Sequence, residues 1–242
     1  MPDHVGWLLD LYEDTREGVV LWLIGDDGER WRLRQDFPIT FYAAGDLEQL
    51  RGLQRYLWTR PEKLRLYRAQ RRDLFHDKPL TLLAFEMGAP IRQPRLFQQI
   101  TDRFPDLNYY DADVKITLRH AARWDTFPLA RCSVSVDDEG VVKELRVLDS
   151  PWDLDPFDVP LRVLSLKPDC DPAHAQPRVL IVCHDGHEYR FSLQPERPLL
   201  INLRALLRRI DPDLLLTVRG DTWLLPLLLS LAKKHNLPLP LN

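Results

Sequence analysis

The stretch Ile210-Asp211-Pro212-Asp213-Leu214-Leu215-Leu216-Thr217-Val218-Arg219-Gly220-Asp221-Thr222-Trp223-Leu224-Leu225-Pro226 sets a short apolar run between two polar turns. Leu214 to Val218 is too short for a helix and is bounded by turn-forming residues, so it reads as a buried strand. Pro226 suits a first helical turn, where no backbone donor is needed, and opens a helix through Lys234. Immediately upstream, Leu200, Leu203, Leu207 and Ile210 recur on one helical face, with Arg204, Arg208 and Arg209 largely off it. The tail of the chain is therefore helix, strand, helix.

Working outward, Leu161 to Leu166 is an apolar run suited to a central strand, and Arg178–Cys183 with Glu188–Leu193 form a hairpin around Asp185-Gly186. Two antiparallel strands beside a central one, then helix–strand–helix, is how a ribonuclease H-like α/β domain begins. Before it, Ser150 to Pro160 is rich in Pro and Asp and lacks periodicity, which marks a connector. The expected domains are 1–150 and 151–242. The first reads as an α+β unit with a mostly antiparallel sheet: strands at Gly6–Tyr12, Val19–Ile24, Trp31–Leu33 and Phe37–Tyr42, then a helix carrying Leu47, Leu50, Leu53 and Leu57, with Asp46 as cap and Pro61 as stop. Further strands are expected at Leu64–Tyr67 and Leu80–Phe85, a helix at Arg95–Phe104, and a hairpin of Cys132–Val136 with Val141–Leu148 around Asp137 to Gly140. The fold class is α/β: an α+β first domain followed by a ribonuclease H-like α/β domain with a mixed sheet.

Composition agrees with a globular chain. The 242 residues are 45% hydrophobic and 29% charged, with net charge −3, so overall charge offers no sign of a DNA-coating protein. Cys132, Cys170 and Cys183 follow no paired spacing, which favours a reducing compartment. The beginning Met1-Pro2-Asp3-His4 lacks a basic segment followed by an apolar core, and the most apolar stretch, Trp223–Ala232, is too short to span a bilayer. A cytoplasmic location is the expectation.

Four blocks resemble, in order, the N-terminal and 3′–5′ exonuclease regions of family B DNA polymerases. Tyr110-Asp111-Ala112-Asp113-Val114 with Leu118-Arg119 is similar to the family's Tyr-Glu-x-Asp-Ile-Pro-Phe and following Arg-Tyr. Leu161 to Asp169 resembles the strand ending in Phe-Asp-Ile-Glu, the helix into Asp211-Pro212-Asp213 follows, and Arg219 to Pro226 is similar to Asn-Gly-Asp-x-Phe-Asp-x-Pro. The match covers residues 107–242 well and the first hundred loosely. The resemblance implies a parent polymerase using Mg2+ for nucleotidyl transfer, DNA template and primer as partners, and no membrane or small-molecule partner for this piece.

Carried over residue by residue, the resemblance also implies an inactive exonuclease. Its two divalent metals need oxygen ligands. The first motif's Asp position is Lys167 and its Glu position is Asp169, with Pro168 between them expected to disturb the strand; the second motif's Asn position is Arg219 and its metal-binding Asp position is Leu224. No catalytic residue, metal or cofactor is then expected here. Asp169, Asp171 and Asp221 could imitate a displaced metal site or serve an unrelated enzyme, although such residues also favour turns. A further alternative is a stand-alone, non-enzymatic DNA-binding or assembly subunit descended from a polymerase.

One basic run stands apart. Arg60, Lys63, Arg65, Arg68, Arg71 and Arg72, with Tyr67 inside, could follow a nucleic-acid backbone while the ring stacks on a base, the nucleic-acid-binding candidates being Arg65, Tyr67, Arg68, Arg71 and Arg72. The alternative is a solvated edge strand guarded by charge. Cys170, His174, Cys183, His184 and His187 match no structural zinc spacing. Arg219-Gly220-Asp221 follows a buried strand in a chain without an export signal, which removes an adhesion reading.

Overall fold

The computed structural model describes residues 3–72 and 78–241, and the chain divides into two compact units, Met1–Val159 and Pro160–Asn242. The first unit runs β1 (Asp3–Glu13), β2 (Val19–Gly25), β3 (Arg30–Gln35), β4 (Ile39–Ala44), α1 (Leu47–Trp58), β5 (Leu64–Arg71) and β6 (Leu80–Met87). It continues with α2 (Gln93–Arg103), β7 (Asn108–Tyr110), α3 (Ile116–Trp124), β8 (Arg131–Val136) and β9 (Val141–Val147). The one sheet expected from the sequence is two. Strands β1, β2, β3, β9 and β8 close into a barrel, while β5, β6, β4 and β7 form a separate sheet in that order. Alternation tells each strand which side to bury, but not which partner to take, and here β8 returns over a long separation to pair with β1.

The open sheet belongs to a βαββαβ unit, β4–α1–β5–β6–α2–β7, in which every neighbouring pair is antiparallel. Its inner face presents Phe41 and Phe85, rings 5.0 Å apart, to Leu53 and Leu57 of α1 and to Leu96 and Ile100 of α2. Helix α1 starts where the Asp46 carboxylate accepts from Glu48 N at 2.8 Å. It stops at Trp58, ahead of Pro61. Its apolar stripe is narrower than the spacing suggests, because Leu47 in the first turn remains exposed.

A polar cluster lies inside the first unit. His120 on α3 is fully buried between Thr126 Oγ1 at 2.7 Å and Gln35 Oε1 at 2.8 Å. A neutral ring with its proton on Nε2 satisfies both, donating to Gln35 and accepting from the Thr126 hydroxyl. Burial, with Arg123 nearby, pushes the His120 pKa down to about 4.

The second unit contains β10 (Val163–Pro168), β11 (Val179–His184), β12 (His187–Ser192), α4 (Glu196–Ile210), β13 (Leu214–Thr217) and α5 (Leu225–Lys234). The sheet order is β12-β11-β10-β13; β10 is interior, antiparallel to β11 and parallel to β13. Asp185 and Gly186, both at positive φ, make the β11–β12 turn. Buried Leu199, Leu200, Leu203, Leu206, Leu207 and Ile210 of α4 join Leu224, Leu228 and Leu231 over one face of the sheet.

Two expectations change here. Pro168 stays in β10, paired with Leu180, and does not disturb it. Asp169 N donates to Val179 O at 3.0 Å, so the adjacent Pro168 nitrogen faces the β13 side, where pairing has already ended at Leu166–Thr217. Nor is β13 a buried strand: as the edge of a sheet with helices over one face, it leaves Leu214 41% and Leu216 50% exposed.

The depressed pKa of His120 has a sign. Its folded value, about 4, lies below the ordinary 6.5, so its contribution is complete above pH 6.5 and is lost as pH falls toward 4. Urea unfolding of the chain at stepped pH is expected to show this decline in the first unit, and His120→Gln is expected to flatten it. An unchanged slope in the variant would show that other groups govern the window.

Candidate functional site

Parallel pairing brings the ends of β10 and β13 together. Leu164, Leu166 and Pro168 point into the helix-covered core, so the intervening Lys167 and then Asp169 face outward. Val218 N donates to Leu166 O at 3.0 Å, and Arg219 follows in a left-handed conformation (φ 57°). There the chain enters a π-helical turn, Gly220–Leu224, before α5. Gly220 lets the chain pass close to Thr217: an added Cβ would lie 2.0 Å from Thr217 Oγ1 and force that side chain to move. The turn carries Leu224 inward, to 0% exposure among the α4 and α5 leucines.

Two acids at this sheet end, Asp169 and Asp171, are already engaged. Asp169 Oδ1 accepts from Arg178 N at 3.0 Å, and this backbone donor holds its carboxyl below the usual range. Asp171 accepts from Ala173 N at 3.0 Å and from Arg219 Nη2 at 2.9 Å; the backbone donor first, then the guanidinium, lowers its pKa. Asp221 is exposed in the first turn after Arg219. The donor set does not fit a pair of divalent metals: one position is an ammonium, one is a core leucine, and Asp171 has an arginine as counter-ion. Among the described residues no three His, Cys, Asp or Glu side chains group as metal ligands. His184 and His187 turn their Nδ1 atoms to the carbonyls of Val163 and Asp185 instead.

The starting turn of the same strands explains Asp211-Pro212-Asp213. Arg162 N donates to Asp213 Oδ2 at 2.8 Å, Asp213 N returns a bond to Arg162 O at 2.9 Å, and the Arg162 guanidinium reaches Asp211 at 2.8 Å. These acids clamp β10 to β13. On α4, Arg208 and Arg209 are exposed, and Arg209 donates to the Tyr189 hydroxyl at 3.2 Å.

In the first unit, the basic run divides between two faces of β5. Arg65, Tyr67 and Arg71 share the outer face, whereas Arg68 points the other way and meets Thr81 Oγ1 at 3.4 Å. Cross-strand register adds residues that the sequence reading missed: Tyr67 pairs with Ala84, Ala84 with Tyr42, and Tyr42 with Tyr110, placing three tyrosines in one row across the sheet. Arg65 lies over the Tyr67 ring at 5.5 Å, and Arg71 over the Tyr42 ring at 5.3 Å while donating to its hydroxyl at 3.2 Å. The available signal was the doublets Phe41-Tyr42 and Tyr109-Tyr110, in which one ring must face away from the core. Arg72, past the strand end, joins Arg71 at the edge of this face.

The Tyr110–Val114 block is held by Gln93, which donates to the Ala112 carbonyl, and by Arg119. Arg119 on α3 donates to the carbonyls of Val114 at 3.0 Å, Thr40 at 2.8 Å and Asp111. One guanidinium thus ties the loop before α3 to β4.

Comparison with known proteins gives a fold. The family B DNA polymerase of the hyperthermophilic archaeon Pyrobaculum calidifontis is similar, with a TM-score of 0.72 and 22% identity, over 98% of this chain and 33% of that one. This chain thus spans about a third of the polymerase it matches. No protein-family model matches, and no curated protein does. The class defined is a mixed α/β chain with the fold of part of a family B DNA polymerase.

Leu224→Asp tests whether this core position can carry a metal ligand. Placing a carboxylate in this leucine core is expected to cost the second unit about 3–5 kcal/mol in urea unfolding, with no recovery on adding Mn2+. Wild-type stability together with Mn2+ binding by calorimetry would contradict the geometry described.

Proposed function

We propose that this chain is the N-terminal and exonuclease-like portion of a family B DNA-directed DNA polymerase, serving in DNA replication or repair as scaffold and DNA-contact region without degrading DNA. The observation that carries the reading is the shared fold over nearly the whole chain, combined with the state of the β10–β13 strand ends. A ribonuclease H-like sheet survives there with Lys167 and Leu224 where the resemblance calls for metal-binding acids. Exonucleolytic hydrolysis by such enzymes takes both its nucleophile and its charge stabilisation from metal ions. Removing two ligands abolishes the reaction rather than slowing it.

Nucleotidyl transfer with Mg2+ would belong to parts of a parent protein outside these residues. Within them, Arg65, Tyr67, Arg71 and Arg72 are the proposed contacts, since cations on one strand face beside aromatic rings suit a single strand's phosphates and bases. No helix of the described residues is long and apolar enough to cross a membrane.

Incubation with 5′-labelled single-stranded DNA in Mg2+ or Mn2+ is expected to leave the substrate full length. Robust 3′–5′ degradation that disappears in Asp169→Ala would sink the proposal.

A further inference from the structure

At the end of the tyrosine row the sheet leaves a pocket of about 140 Å³, lined by Tyr42, Arg71, Arg72, Leu80, Leu82 and Tyr110, with Asp111 at one side. The geometry points to a seat for one backbone phosphate of a single-stranded nucleic acid, held by Arg71 and Arg72, with a neighbouring base lying toward Tyr67. This deepens the DNA-contact reading given above and rests on it.

The size of the pocket suits a phosphate group better than a whole nucleotide, since ligand sites for larger molecules run to about 300–1,000 Å³. Its chemistry suits an anion. Arg71 does not swing freely: it stacks over the Tyr42 ring and donates to the Tyr42 hydroxyl and the Gln70 carbonyl. A guanidinium has five N–H donors in a planar fork, so these two bonds leave donors to present to a phosphate at little ordering cost. Arg72 is exposed beside it. Two arginines against the single carboxylate of Asp111 leave the pocket net positive.

Leu80 and Leu82 supply an apolar floor, which lowers the dielectric in which the two guanidinium charges act on an anion. The Asp111 side is fixed as well, because Asp111 adopts φ 59° and gives its carbonyl to Arg119. From the pocket the row continues through Tyr42 and Ala84 to Tyr67, whose ring is partly exposed and lies under Arg65. Ala84 and Tyr42 are buried within the row, so the base is placed at its partly exposed end, against Tyr67. The site needs no metal, so binding should not depend on divalent ions.

Fluorescence anisotropy of the full chain with a short labelled oligo-dT, in EDTA, tests the pocket. Arg72→Ala is expected to weaken binding roughly tenfold, as for loss of a charged hydrogen bond. It should also lower the slope of log affinity against log salt by about 0.7. Arg71→Ala should do the same, and Arg68→Ala, on the opposite face of β5, should bind as wild type. Arg72 is exposed, so its variant separates a binding defect from misfolding, checked by an unchanged melting temperature. If Arg71→Ala and Arg72→Ala bind with wild-type affinity and slope, the pocket is wrong while DNA contact elsewhere stands. If the wild-type chain binds no single strand at all, the pocket and the contact reading fall together.

Discussion

The parallel pairing of β10 with β13 is the constraint on which the second unit depends. It joins two segments far apart in the chain, and parallel strands cannot be linked by a short turn, so α4 must cross over between them. The helix is amphipathic because it has a sheet to cover, and the Arg162–Asp213 exchange sets where the pairing begins. Once the register is fixed at Leu166–Thr217, the positions of Lys167, Asp169 and Arg219 follow without further freedom. Ligands of open α/β sheets gather beyond the carboxyl ends of such strands. Here those ends carry an ammonium, a guanidinium and carboxylates already bound to donors.

Acids gathered at one sheet end repel one another. Here the repulsion is answered locally. Asp169 is absorbed into the β10–β11 loop as an acceptor of backbone N–H, and Asp171 has both a backbone donor and Arg219. Each is held ionised by donors the fold supplies, so neither requires a cation from solution. Arg219 has two roles here: its left-handed backbone starts the turn and its guanidinium neutralises an acid. Leu224 lies in the core, where a buried leucine contributes about 1.5–3 kcal/mol.

How much of this could be read from sequence depended on range. Local signals served well: the Asp46 cap, the Asp185-Gly186 turn, the leucine face of α4 and the Pro226 start all rest on residues within a few positions of each other. Partner choice was hidden. Nothing in Gly6–Tyr12 says that it will pair with Cys132–Val136, so the barrel was merged with the neighbouring sheet. The apolar run Leu214–Val218 looked buried on both sides because composition does not reveal an edge; only the sheet order shows which neighbour is absent. Pro168 looked disruptive for the same reason, its effect depending on which flank lacks a partner.

The basic run shows the limit most clearly. As a sequence it is six cations and a tyrosine, equally readable as a solvated edge or a strand-binding surface. Strand periodicity alone removes Arg68 from the face that holds Arg65, Tyr67 and Arg71. Register then adds Tyr42 and Tyr110 from strands whose sequences carry no charge pattern at all. A solvated edge would need charge and nothing more. Tyrosines of β5, β4 and β7 stand in one row, two of them beneath arginines, and instead fix cations on a face where Tyr67 and Tyr110 are partly exposed and Tyr42 is buried. That pairing of groups matches what an unstacked, charged strand presents, and neither group alone would distinguish the two readings.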